Sequence, residues 1–220
     1  NGGRMQFMKT GNGHWSWGGV FLWKTPGLEF NDMGYLRAAD QLLQILWVNY
    51  NIWEPKSFYR SVVLTSNQYS AWDFSGNHLE DGLDADGHIN FKNYWDAGAG
   101  INFNFNVINN TMLRGGPIMK MPGNVNYRAS VNSDSRKKLV IEMEVRNSVT
   151  FEGAGKTINL QPELKYKPTN TLSLSYNPSF MKSFDELQYV TQTNYGSQTR
   201  YIFGSIDQKV VSMSFRVNFN

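Results

Sequence analysis

The sequence contains no cysteine, which excludes disulfides, thiolate nucleophiles and cysteine-based zinc sites, and leaves the redox compartment open. Charge is scarce as well. Asp, Glu, Lys and Arg make up 18% of the 220 residues, against roughly 25% in an ordinary globular domain. Lys+Arg 21 against Asp+Glu 18 leaves a net charge of +3, too mild to imply a nucleic-acid partner. Long apolar runs are missing: the longest candidate, Leu42 to Val48, is interrupted at Gln44, so no helix spans a bilayer. Enzyme signatures are missing too. The three histidines, His14, His78 and His88, fall in separate segments, and no zincin, phosphate-loop, dinucleotide or nucleophile-elbow pattern occurs. No cofactor or metal is implied, no catalytic residue can be selected, and a non-enzyme is the favoured reading.

What the chain has is alternation and aromatic residues. From Trp95 to Val107 the odd positions are Trp95, Ala97, Ala99, Ile101, Phe103, Phe105 and Val107, and the even positions are Asp, Gly or Asn throughout. A period of two without violation describes a strand with one wholly apolar face. Leu139 to Arg146, Ile158 to Tyr166, Leu172 to Phe180 and Val211 to Asn220 repeat the pattern, with Val140 the one apolar intruder in a polar phase. Weaker members at 15–23, 42–52, 58–72, 83–91 and 124–132, with short ones near 4–9, 187–193 and 199–204, bring the total to about twelve or thirteen strands, at a spacing suited to an antiparallel meander. Short connections are expected near 54–56, 92–94, 133–136 and 167–170, and longer ones at 24–40, 73–82, 108–123, 151–156 and 181–186. Pro162 and Pro178 break otherwise good strands and remove ladder donors, which points to a bulge, a strand end or a sheet edge.

Alternation alone fits a sandwich or a barrel. Strand length, a polar face of Asn, Ser, Gly and Gln, and aromatic residues near strand ends favour an up-and-down transmembrane β-barrel. The aromatic residues are Trp53, Tyr94, Trp95 and Tyr166 at the short-turn rim and Trp23 and Trp72 at the other. That fold implies outer-membrane lipid as a partner and requires closure of the sheet. A hairpin turning at 91–95 would gather Asp84, Asp86, His88 and Asp96 into one inward polar patch, able to meet a cation or a sugar but more simply a polar wall. The segment 108–123 is apolar and rich in Gly and Pro, with Arg114 expected to anchor it to a carboxylate such as Glu142 or to loop carbonyls. Arg136, Lys137 and Lys138, with Lys56 and Lys92, form a basic rim suited to phospholipid headgroups or solvent.

Six ordered blocks carry a resemblance: LEFNDMGYL at 28–36, FKNYW at 91–95, LRGGP at 113–117, NSDSRKK at 132–138, DELQYV at 185–190 and RYIFGSIDQK at 200–209. Together they resemble the C-terminal β-barrel region, a domain of unknown function, of exported Bacteroidota proteins that carry a carbohydrate-binding-like domain in front. The resemblance spans nearly the whole chain and implies a barrel segment incomplete at both ends, without known catalytic residues. The expectation is therefore an outer-membrane β-barrel over 1–220 in the cell outer membrane, acting as channel, scaffold or component of a transport or surface complex with other surface proteins. The alternative is a glycan-binding or glycan-processing protein whose recognition chemistry lies on outer loops or in the front domain. Exposed aromatic platforms with convergent Asn, Asp and Gln in loops 24–40, 73–82 and 108–123 would favour that alternative.

Overall fold

A computed structural model describes residues 1–29 and 39–219. Most of them lie in strands. In chain order the strands are β1 (Gly2–Lys9), β2 (Trp15–Lys24), β3 (Gln41–Ile52), β4 (Tyr59–Trp72), β5 (His78–Phe91), β6 (Asp96–Asn109), β7 (Met119–Met121), β8 (Asn124–Asn132), β9 (Leu139–Thr150), β10 (Gly155–Tyr166), β11 (Leu172–Tyr195) and β12 (Gln198–Phe219). The sheet follows β1-β2-β3-β4-β5-β6-β8-β9-β10-β11-β12, with β7 paired to β6 off the path. Apart from β7, consecutive strands are neighbours, as in an antiparallel meander.

The chain packs as two compact units, Asn1–Asn51 with Leu64–Ala85 and Asn102–Gly123, and Ile52–Val63 with Asp86–Ile101 and Asn124–Asn220. In the first unit β1 pairs β2 from Gly2↔Lys24 to Lys9↔Trp17, and β2 pairs β3 from Trp15↔Tyr50 to Lys24↔Gln41. Tyr69 lies where a side chain at Gly82 would stand, so glycine is what lets the ring cross β5. Burial pushes the Tyr69 phenol above its ordinary pKa, even though the Asn102 amide donates to its oxygen at 3.1 Å. Burial raises the Glu80 carboxyl likewise.

In the second unit β8, β9, β10, β11 and β12 form an uninterrupted run of hairpins. Tyr166↔Leu139 and Gly155↔Thr150 bound the β9–β10 register. Val140, the apolar intruder, is 2% exposed, the most deeply buried large side chain, whereas Ile141 in the apolar phase is 40% exposed. The apolar phase of β12 is uncovered from Val211 to Phe219. At the β8–β9 turn Asp134 is buried and accepts Arg136 Nε and Nη2, each at 2.8 Å, while the Arg136 guanidinium lies 3.2 Å from the Tyr94 ring centroid. The Arg136 side-chain hydrogen bonds hold the Asp134 carboxyl down at about 2.

Several expectations are corrected. The sheet is not a closed barrel: among the described residues β1 pairs only with β2, and β12 only with β11. Two free edges leave rows of unpaired N–H and C=O groups, which hydrocarbon cannot satisfy. The outer-membrane localisation, the lipid partnership and the channel or membrane-scaffold function all rested on closure and are withdrawn with it. A polar chain on one face of the first unit weighs the same way. Gln44 donates to Gln68 at 2.9 Å, Gln68 to Ser70 at 2.8 Å and Ser70 to Asp81 at 2.6 Å, in the phase that also carries Leu42, Leu46 and Leu64. Among the described residues no helix is long and apolar enough to cross a membrane.

The expected long connections at 73–82, 151–156 and 181–186 are corrected as well. The first shrinks to 73–77. The second tightens into a turn at Phe151–Gly153, where Glu152 (φ 61) and Gly153 (φ 76) reverse the chain. The third is the interior of β11, held from both sides by Asp185↔Gly155 and Asp185↔Ile206. Its polar residues read as a loop, but pairing on two edges overrides local composition.

Two outcomes follow. Hydrogen exchange should show β12 amides alternating between protected, where they meet β11, and unprotected, where they face the free edge; uniform protection along β12 would refute the free edge. Asp134 contributes stability that is full above its unfolded pKa and is lost as pH falls from about 4 toward 2. Urea midpoints of Asp134→Asn should therefore lie below those of the parent at pH 6 and converge with them near pH 2; a constant offset would show that the carboxylate's charge is not what matters.

Candidate functional site

Two prolines build the site. Pro162 on β10 and Pro178 on β11 stand opposite one another, since Leu160↔Phe180 and Leu164↔Tyr176 flank them in register and the ladder between is unpaired. Neither has an N–H to donate, so the seam opens in mid-strand. Side chains bridge it: the Asn177 amide nitrogen, in the orientation that satisfies both groups, donates to Glu163 Oε1 at 3.0 Å. The prolines thus mark neither a strand end nor a sheet edge.

A cavity of about 670 Å³ lies over this seam, wholly within the second unit. Period-two alternation supplies its polar walls. Asp86 and His88 come from β5, Arg128, Ser130 and Asn132 from β8, Glu142 and Glu144 from β9, and Gln161 and Glu163 from β10. Gly98 on β6 keeps the floor clear, because a Cβ there would sit 3.2 Å from Ser130 Oγ and 3.3 Å from His88 Nδ1. Gly100 is needed more sharply. A Cβ on it would overlap Asp86 Oδ1 and come within 3.1 Å of Arg128 Nε, the two partners of an ion pair reaching across β6 from β5 to β8.

The charges are arranged in short pairs, some across strands and some along one strand. Arg128 Nε donates to Asp86 Oδ1 at 2.9 Å, and His88 Nε2 meets Asp96 Oδ2 at 2.6 Å. Glu142 and Glu163 face each other directly between β9 and β10, an unfavourable like-charge pair. Lys165 Nζ relieves it, at 2.9 Å from Glu142 and 3.1 Å from Glu163. Its hydrogen bond to Glu142, the larger effect, and its link to Glu163 raise the lysine pKa. Arg146 pairs with Glu144 and is raised by that hydrogen bond. These groups are partly exposed, so each pair adds little to stability, but together they fix the walls.

The expected polar patch is divided. Asp86, His88 and Asp96 lie in the second unit, in the pairs just described; Asp84 lies in the first unit, where it accepts from Asn67 and its carbonyl accepts from Ser66 at 2.9 Å. Arg114 is exposed at φ 49, in a turn closed by its own N–H to Thr111 O at 3.0 Å. Glu142, the suggested partner of Arg114, is held by Lys165. Of the expected loop platforms, the 73–82 region shows Trp72 stacked on His78 at 5.2 Å, but Asp73 is spent on Asn77 and Asp81 on Ser70 and His78. In the 108–123 loop, Asn109 Oδ1 accepts from the Thr111 and Met112 N–H groups. Most of loop 24–40 and of the 28–36 block, from 30 to 38, lies outside the described residues. Sequence reasoning missed Arg128, Ser130 and Asn132; Arg128, the lone cation of the 124–132 strand, was the available signal.

Gly100→Ala should cost about 1–3 kcal/mol in urea denaturation by displacing the Asp86–Arg128 pair. Combined with Asp86→Ala, which removes the obstructing oxygen, it should cost clearly less than the sum of the single changes; strict additivity would refute the clearance role.

Comparison with known proteins places the chain. No curated protein and no solved structure matches it. A family model described as a domain of unknown function, DUF5916, matches residues 3–220. The chain therefore belongs to the DUF5916 family.

Proposed function

We propose that this domain is a carbohydrate-binding module and that its ligand occupies the cavity over the Pro162–Pro178 seam. The carrying observation is the cavity itself, about 670 Å³ and walled largely by carboxylate, amide and guanidinium groups, within the range of small-ligand sites. The carboxylates of Asp86, Glu142, Glu144 and Glu163 accept from hydroxyls, while Arg128 and Asn132 donate. Carboxylate, amide and guanidinium groups each present two polar atoms, a spacing that matches vicinal hydroxyls on a sugar ring. No Phe, Tyr or Trp lines the cavity, so affinity would come mainly from these hydrogen bonds rather than from stacking.

Calorimetric titration with a panel of neutral oligosaccharides tests the reading. At least one should bind, and Arg128→Ala and Glu142→Gln should each weaken it by about tenfold with circular dichroism unchanged. Failure of the whole panel, or equal affinity in both variants, would overturn it.

A further inference from the structure

A second cavity lies at one end of the same unit, and its chemistry is different. The β8–β9 turn at 133–138 and the β10–β11 turn at 167–171 meet there, because the Tyr166↔Leu139 pair continues into a Lys167 N–H to Lys138 O bond at 2.7 Å. Between them is a cavity of about 640 Å³. Arg136, Lys137, Lys138 and Lys167 line it together with the hydroxyls of Thr169 and Thr171, and no carboxylate does.

The four cations are not equivalent. Both Asp134 oxygens are taken up by the Arg136 side chain, whose fork is thereby filled. Among the described residues Lys138 and Lys167 form no ion pair; the Lys167 ammonium donates to Ser135 O at 3.3 Å. Lys137 feels Asp134 only at a distance. Three lysines from two turns thus line one cavity, and among the described residues two of them, Lys138 and Lys167, have no carboxylate partner. The Thr169 and Thr171 hydroxyl oxygens lie 3.1 Å apart beside them, and Thr169 Oγ1 is itself fixed by the Leu172 N–H at 3.1 Å.

We propose that this cavity binds a phosphate or sulfate ester. A free guanidinium fork would favour a carboxylate bidentately, but the Nε–Nη2 fork of the guanidinium here is already taken by Asp134. What remains is a set of lysine point charges with neighbouring hydroxyl donors, which suits a tetrahedral oxyanion with oxygens on several sides. A cavity of 640 Å³ exceeds a bare oxyanion and leaves room for the group that carries the ester. The site shares no lining residue with the cavity over the proline seam, so the proposal stands or falls independently of the sugar reading.

The test uses three probes on the whole chain in about 150 mM NaCl: inorganic pyrophosphate, a heparin-derived sulfated tetrasaccharide, and the same tetrasaccharide desulfated. Binding of the sulfated saccharide is expected to depend on Lys138 and Lys167, whereas any binding of the desulfated one should be the same in the parent and in the double glutamine variant. Binding by pyrophosphate alone would assign the site to a free oxyanion and overturn the ester, whereas binding by the sulfated saccharide, with or without pyrophosphate, supports it. Lys138→Gln with Lys167→Gln should weaken binding by about tenfold or more, the corresponding double arginine variant should retain it, and Lys92→Gln, at an exposed lysine that lines neither cavity, should leave it unchanged. Failure of all three probes, equal dependence of the desulfated saccharide on Lys138 and Lys167, or unchanged affinity in the double glutamine variant would overturn the proposal.

Discussion

Hydrogen bonding between successive strands carries most of the order in this chain, because little side-chain burial is available to do so. Among the described residues the deeply buried apolar side chains are small and scattered, Ala71, Leu113, Val125, Val140 and Ala154. Each ladder bond contributes modestly, and a polar group withdrawn from it without a partner costs more than a formed bond contributes. The ladder therefore dictates where the structure can be interrupted. It is interrupted at Pro162 and Pro178, where two residues without N–H groups face each other, and the larger cavity lies over that interruption.

The same economy explains the glycines and the charges around the cavity. A wall of alternating polar residues makes a site only if something clears space above the sheet, and Gly98 and Gly100 do so in the middle strand. The Asp86–Arg128 pair needs that space to reach from β5 to β8, and Lys165 holds the facing Glu142 and Glu163 together. The site is a consequence of what is left out at 98, 100, 162 and 178 as much as of the charged groups around it.

Strand positions were legible because period-two alternation is a local property. The segment 124–132 coincides with β8, and 15–23, 42–52 and 58–72 each lie within one or two residues of a strand. Turns were less legible: 181–186 has a loop's composition, yet its conformation is set by β10 and β12 on either side. Closure was not legible at all. An apolar phase exposed along β12 has the same sequence signature whether the edge beside it is paired or free, and the barrel expectation took that signature for closure. Of the four residues expected to share a polar patch, Asp86 and His88 line the cavity, Asp96 pairs with His88 beside it and Asp84 lies in the other unit, whereas Arg128, Ser130 and Asn132 reach the cavity from a strand far along the chain.

The sequence by itself determined an all-β chain of consecutive antiparallel strands with one apolar and one polar phase. Alternation of side chains is fixed by the geometry of the extended backbone, and the neighbour in sequence is the nearest partner available. It also marked Pro162 and Pro178 as breaks. Only the tertiary structure decided that the two breaks face each other, that the path of strands has two free ends, and that the turns at 133–138 and 167–171 bring their lysines to one cavity. Those outcomes depend on register between strands, and register is set by pairing across the sheet rather than by any residue's own preference.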